Sequence, residues 1–227
     1  MSESPEPTER TARGFTLSMA LLIGSNLIPL VGIFAWGWKV FDVVALYWIE
    51  NVIVGVINLL KMLICSPDPA QVDFRNGEPE SAGQPSLGKL AAVHHASKLF
   101  FMPFFAVHYG IFTAVHGMFV FSMLGRRGGA MSGSLPDGLG RMVGEVMGGD
   151  GKWAVLALLV SHLVSFAQNY LLGGEFRRAT VPVLLFAPYG RVVVLHVAIL
   201  AGAFAIQAMG SPMVLLVILI AGKIGLD

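Results

Sequence analysis

Residues 41–64, FDVVALYWIENVIVGVINLLKMLI, form a strongly apolar run of 24 residues with Glu50, Asn51, Asn58 and Lys61 set inside it. Wound as an α-helix at about 1.5 Å per residue, the run extends about 36 Å, enough to cross a hydrocarbon core of about 30 Å. The polar residues decide what kind of membrane helix this is. At about 100° per residue, Lys61 lies about 20° from Glu50, Tyr47 about 60°, Asn58 about 80° and Asn51 about 100°. They form one stripe. An ionisable side chain near mid-bilayer costs at least about 2.5–3.5 kcal/mol unless it faces protein or water. The stripe therefore belongs inside a bundle of helices.

The rest of the chain agrees. Of 227 residues, 55% are hydrophobic and 13% charged, against about 25% charged in a soluble domain. Mean hydropathy is +0.72. These values exclude a disordered chain, a coiled coil and an ordinary cytosolic enzyme. The net charge of +1 leaves no footprint for nucleic acid. The single cysteine, Cys65, excludes an intramolecular disulfide and a multi-cysteine zinc or iron–sulfur site.

The expected fold is all-α, a polytopic transmembrane bundle of about six spans: 15–36, 41–64, 99–124, 153–172, about 191–209 and about 212–226. Residues 1–14 read as a polar tail and 15–227 as one transmembrane domain. The first run is too long for a secretory h-region of about 7–15 residues. Gly210-Ser211-Pro212 divides the last two spans, because proline opens a new first turn. Residues 66–86 read as a solvated loop, 87–98 as an interfacial helix leading into the third span and 173–190 as a connection. Leu135, Leu139, Met142, Val143 and Val146 recur at helical spacing, which predicts a short amphipathic helix on the membrane between spans three and four. With both termini on one side, ten Lys and Arg residues fall there and five on the other, so the positive-inside rule predicts cytoplasmic termini.

Four histidines lie within the apolar spans: His108, His116, His162 and His196. His108 and His116 are offset by about 80° and about 12 Å, so one metal cannot take both. Asn169 lies about 20° from His162, with Ser165 between them. From the predicted topology, Glu50, His116 and His162 share the middle or outer half of the membrane. His108, His196, Asn58, Lys61 and Asn169 share the inner half. Four outcomes compete for this polar core. Glu50, His116 and His162 make a three-ligand set suited to zinc or iron, with an open position for water. Glu50 is then the catalytic group, and Asn51, Asn58, Asn169 and Arg191 orient the ligands. His108 and His196 are the best pair for axial ligation of haem. Glu50 and the histidines are equally a proton path. The fourth outcome is a packing network without chemistry. Arg177, Arg178 and Arg191 are expected near the cytoplasmic interface, where they set topology or hold lipid phosphate. His94-His95 falls in an interfacial segment where histidine needs no special account. No nucleophile elbow, P-loop or H-E-x-x-H is present.

Several runs carry a resemblance together: Tyr47-Trp48-Ile49-Glu50-Asn51, Phe104-Phe105-Ala106-Val107-His108-Tyr109-Gly110 with His116-Gly117, Gly174-Glu175-Phe176-Arg177-Arg178, and Pro188-Tyr189-Gly190-Arg191 with His196. On these, the chain resembles an uncharacterised bacterial family of small polytopic membrane proteins, over roughly residues 20–226. The resemblance implies a class, a multi-span protein of the bacterial inner membrane, and no reaction. Alkaline-ceramidase-type membrane hydrolases offer an analogy of chemistry only, since they have seven spans and paired histidines. The expected function is an intramembrane His/Glu site in contact with the lipid bilayer, binding metal and supporting a hydrolase or redox reaction on a lipidic substrate. The alternatives are a proton-coupled transporter or channel, and a structural subunit.

Overall fold

Helix α1, Val40–Ile64, starts where Asp42 reaches back to accept a hydrogen bond from the Lys39 backbone N–H at 2.9 Å. This satisfies one orphan donor and sets a carboxylate against the positive helix end. In this computed structural model the described residues are 37–68, 72, 86–124, 140, 143–144, 146–147, 151–209 and 221–222. At its far end α1 is closed by a neighbour: the Lys98 ammonium donates to the carbonyls of Leu63 and Cys65, where a cation also meets the negative helix end.

The other helices are α2, Leu87–Leu124; α3, Gly151–Ser165, running on as a π-helical segment, Phe166–Leu172; a 3-10 turn, Glu175–Arg177; α4, Val181–Phe186; and α5, Tyr189–Met209. Every described element is helical. Four stretches are long and apolar enough to cross a membrane: Val40–Ile64, Gly88–Ser122, Gly151–Leu172 and Val181–Ile199. The chain is thus a helical membrane protein. The expected first span lies outside the described residues. So does most of the sixth, of which Gly222 rests against Val194 of α5. In the expected amphipathic helix, Val146 is buried in the bundle rather than resting on its surface.

Helix α1 is the hub, packing against α2, α3, α4 and α5. Contacts along it give each neighbour's direction. Beside α2, Trp48 Nε1–H donates to the Thr113 carbonyl at 2.7 Å, and Tyr109 O–H to the Asn51 carbonyl at 2.9 Å. Rising numbers on one helix meet falling numbers on the other, so the pair is antiparallel. Helix α3 is parallel to α1: Leu158 clusters with Leu46, and Tyr170 O–H donates to the Lys61 carbonyl at 2.7 Å. Helices α4 and α5 together form one antiparallel span, with Val181 near Met62, Leu184 against Asn58, and Leu195 near the Phe41 end.

That span begins about ten residues before the expected 191. Its first part hides in the sequence because Pro182 and Pro188 bracket it. Pro182 sits in the first turn of α4, where a missing N–H costs little. Pro188 breaks the helix, and the break is repaired from α1. Pro188 would be the α-helical donor to the Leu184 carbonyl but has no N–H; Asn58 Nδ2 donates to that oxygen instead, at 2.7 Å. Residues 87–98 lead into the span without a break, as the first turns of α2. Pro103 lies within α2.

Two apolar clusters fill the ends of the bundle. Phe41, Val43–Ala45, Trp48, Val120, Leu195 and Ala198 gather at the start of α1; Met62, Cys65, Phe105, Tyr170, Val181 and Leu185 gather at its end. The polar stretch Glu50–Asn58 lies between them along α1.

Candidate functional site

Glu50, the eleventh residue of α1, has its side chain 5% exposed. Its Oε1 receives two neighbours: His162 Nε2 of α3 at 3.1 Å and Arg191 Nη1 of α5 at 3.2 Å. Three helices therefore converge on one carboxylate. Arg191 reaches it because the break at Pro188 places Tyr189-Gly190-Arg191 in the first turn of a half-helix at mid-bundle. The guanidinium gives the Glu50 carboxylate a charged partner. A carboxylate oxygen accepts, so His162 presents Nε2–H to it. His162 and Arg191 are 17% and 23% exposed, and Glu50 is more deeply buried than either.

A second pair lies nearer the start of α1. His116 Nδ1 stands 2.7 Å from the Phe112 carbonyl, and His116 Nε2 stands 2.9 Å from His196 Nδ1. The carbonyl can only accept, so Nδ1–H of His116 donates to it. Nε2 of the neutral ring then accepts from Nδ1–H of His196. His116 is 4% exposed, whereas His196 is exposed. His162 is thus oriented by the Glu50 carboxylate, and the His116–His196 pair by the Phe112 carbonyl.

The family model that matches this chain over residues 8–227 is a family of unknown function, DUF6498. The chain belongs to this family. No curated protein and no solved structure matches it. The sequence resemblance to an uncharacterised family of membrane proteins is borne out in that respect.

The sequence-predicted residues divide differently from their expected grouping. Glu50 meets His162, but His116 meets His196 instead of joining them. Among the described residues no three His, Cys, Asp or Glu side chains are grouped to hold a metal ion. The cause is the early start of the last described span. Ten residues at about 1.5 Å each carry His196 about 15 Å further through the bundle than expected, to the level of His116. The same displacement takes Arg191 from the interface to Glu50. His108 and His196 make no contact with each other. His108 stacks on Phe104, centroids 5.3 Å apart, with Phe112 and Tyr189 beside it.

Among the residues expected to orient ligands, Asn58 holds the break in the α4–α5 span and Arg191 pairs with Glu50. Asn51 is buried, and its backbone carbonyl receives Tyr109. Asn169 donates to Ser165 Oγ at 3.2 Å within its own helix. Lys61, aligned with Glu50 on the helical wheel, lies over the Tyr170 ring at 5.1 Å, one end-cluster away from the carboxylate. Sequence reasoning missed Tyr109 and the depth of Arg191. The signal for the second was present: Leu184 and Pro188 are four apart, the spacing of an orphaned carbonyl.

Proposed function

We propose that the protein is a proton-coupled membrane transporter or channel in which Glu50 and His162 exchange the proton. The observation that carries this reading is the meeting of Glu50, His162 and Arg191 at a broken helix inside the bundle. Helices interrupted at mid-membrane, with a half-helix N-terminus facing a charge, are a recurring device of transporters. The irregular backbone needs protein partners at that depth, which Asn58 supplies. The π-helical segment that follows His162 by one turn is a further local irregularity of the kind found at functional sites.

The geometry supports a simple sequence. A proton arriving at Nδ1 makes His162 an imidazolium. Its Nε2 proton passes to Glu50 Oε1, across the existing 3.1 Å contact. Glu50 becomes neutral, and the charge that faces Arg191 changes. That is a change of electrostatic state at the junction of α1, α3 and α5, and it biases how the half-helix α5 sits against α1. The His116–His196 pair extends the polar path toward the start of α1. A hydrolytic metal centre on Glu50, His116 and His162 is less well supported, because the two histidines are engaged in separate pairs. The bacterial inner membrane, with both termini cytoplasmic, is the location proposed from the Lys and Arg asymmetry.

The test is proton entry into phosphatidylcholine vesicles holding the purified protein and an internal pH dye, driven by a potassium-diffusion potential. Flux above that of empty vesicles, lost in Glu50→Gln and His162→Ala, is expected. Flux no greater than in empty vesicles, or unchanged in a folded Glu50→Gln, overturns the proposal.

A further inference from the structure

We propose that His108 and Tyr189 form a lipid-facing site for the ring of a neutral quinone dissolved in the membrane. The inference stands apart from the transport reading, in which neither residue takes part. It starts from depth. Tyr109 lies against Asn51 and Gly55 of α1, while Leu184 and Arg191 meet Asn58 and Glu50. His108 and Tyr189 therefore both stand beside the middle of Val40–Ile64, about 15 Å from either edge of a hydrocarbon core of about 30 Å. Among the described residues His108 is exposed and makes ring contacts only. Tyr189 is half-buried, and its hydroxyl likewise has no hydrogen-bond partner among them. Two polar groups at the centre of a membrane, open to lipid, call for a ligand that brings hydrogen-bonding atoms to that depth.

The surroundings narrow the class. Both faces of the imidazole are covered, by Phe104 at 5.3 Å and by Phe112 at 5.9 Å between centroids, with ring planes 10° and 30° apart. Its edge is left to meet a ligand, and a neutral imidazole edge offers one N–H donor and one acceptor nitrogen. The Tyr189 ring is 5.9 Å from the imidazole, and Phe186 is 6.3 Å from Tyr189. Phe104, Phe112 and Phe186 are exposed, so a flat ring finds aromatic partners around it. No charged side chain belongs to this patch, and Arg191 turns to Glu50. The patch therefore matches a neutral acceptor rather than an anion. Phospholipid phosphate and ester oxygens lie at the interfaces, and a water-soluble solute does not reach this face through lipid. A quinone combines what remains. It has a flat neutral ring, carbonyl oxygens to accept from His108 N–H and Tyr189 O–H, and an apolar tail that holds it in the bilayer.

The probe is decylubiquinone, added to detergent-purified protein at increasing mole fraction in the micelle while thermal unfolding is followed. Decylbenzene, a ring and tail without carbonyls, is the control. Saturable stabilisation by the quinone alone is expected. His108→Phe keeps the stacking and Tyr189→Phe keeps the ring contacts, so each removes only polar atoms. Each should raise the half-saturating mole fraction at least about tenfold, the effect of one lost hydrogen bond in an apolar site. No stabilisation, equal stabilisation by decylbenzene, or a smaller weakening in either folded variant overturns the inference. If a variant does not fold, the wild type decides. An azidoquinone bound in the dark and then illuminated should label residues 104–112 or 186–193, and labelling confined to other segments, or none, overturns the inference. Proton flux is measured without quinone, so the transport reading stands or falls separately.

Discussion

Replacing Asn58 with leucine isolates the device that makes the broken span possible. The side chain is buried, and its amide is 2.7 Å from the Leu184 carbonyl. Leaving a buried acceptor unsatisfied costs about 1–3 kcal/mol, while hydrogen bonds between membrane helices average about 0.6 kcal/mol with a maximum near 1.7. The lower figure applies where the backbone finds another partner. Here the α-helical donor is Pro188, which has none to give, so a value near the upper bound, about 1.5–2 kcal/mol, is expected. The decisive comparison is with Pro188→Ala, which returns an N–H four residues beyond Leu184. In that background Asn58→Leu should cost about 1 kcal/mol less, a coupling readable in a double-mutant cycle. The assay is equilibrium unfolding in mixed detergent micelles, followed by the fluorescence of tryptophan, including buried Trp48. An equal cost of Asn58→Leu with and without Pro188 would refute the repair argument.

Other consequences follow from the same contacts. Arg191→Gln leaves the Glu50 carboxylate buried without its strongest partner and should destabilise the protein by about 3–5 kcal/mol, with much of the loss recovered in Glu50→Gln/Arg191→Gln; unfolding midpoints of the three variants give the comparison. At Gly55 an added Cβ would stand 2.5 Å from Tyr109 Cε1, and the ring is tied down by its hydroxyl on Asn51 and its stacking on Phe105. Gly55→Ala should therefore cost about 1–3 kcal/mol, and Tyr109→Leu should relieve most of it in the double variant. Burial pushes the Cys65 thiol up from its ordinary value of 9.0, against the opposing pull of the Lys98 ammonium. The folded chain thus holds the thiol neutral where the unfolded chain ionises it, so stability is full below that value and falls as pH rises past it. Alkylation of Cys65 in folded protein should be slower than in denatured protein at pH 8, and slower again in a folded Lys98→Ala variant.

Much of this bundle can be read from periodicity along single helices. The stripe of Glu50, Asn51 and Asn58 on α1 does face the interior, and His162 does reach Glu50. These relations depend on the 100° repeat and on which residues lipid rejects. The grouping of residues between helices was not legible in the same way, because it depends on where each span begins. Val181–Phe186 is six residues long and bracketed by prolines, so it reads as a connection. Once Asn58 supplies the missing donor, it becomes the first turns of a span, and every later residue shifts in depth. Arg191 and His196 move together for that one reason. Tyr109 was hidden by its neighbour: His108 drew the chemical argument, yet it is Tyr109 that turns inward to α1 while His108 stacks with phenylalanines on the outer face.

The proton on Glu50 is the most direct measure of the account. Infrared difference spectra of the reconstituted protein, recorded as pH is lowered, report the C=O stretch of a protonated carboxyl against the carboxylate bands. The account predicts that such a band appears, that it is missing in Glu50→Gln, and that it moves to a different pH in His162→Ala, because the two groups share one proton. A carboxylate that stays ionised throughout, or a band that survives unchanged in Glu50→Gln, would show that the carboxyl between His162 and Arg191 is a structural counter-ion and carries no proton.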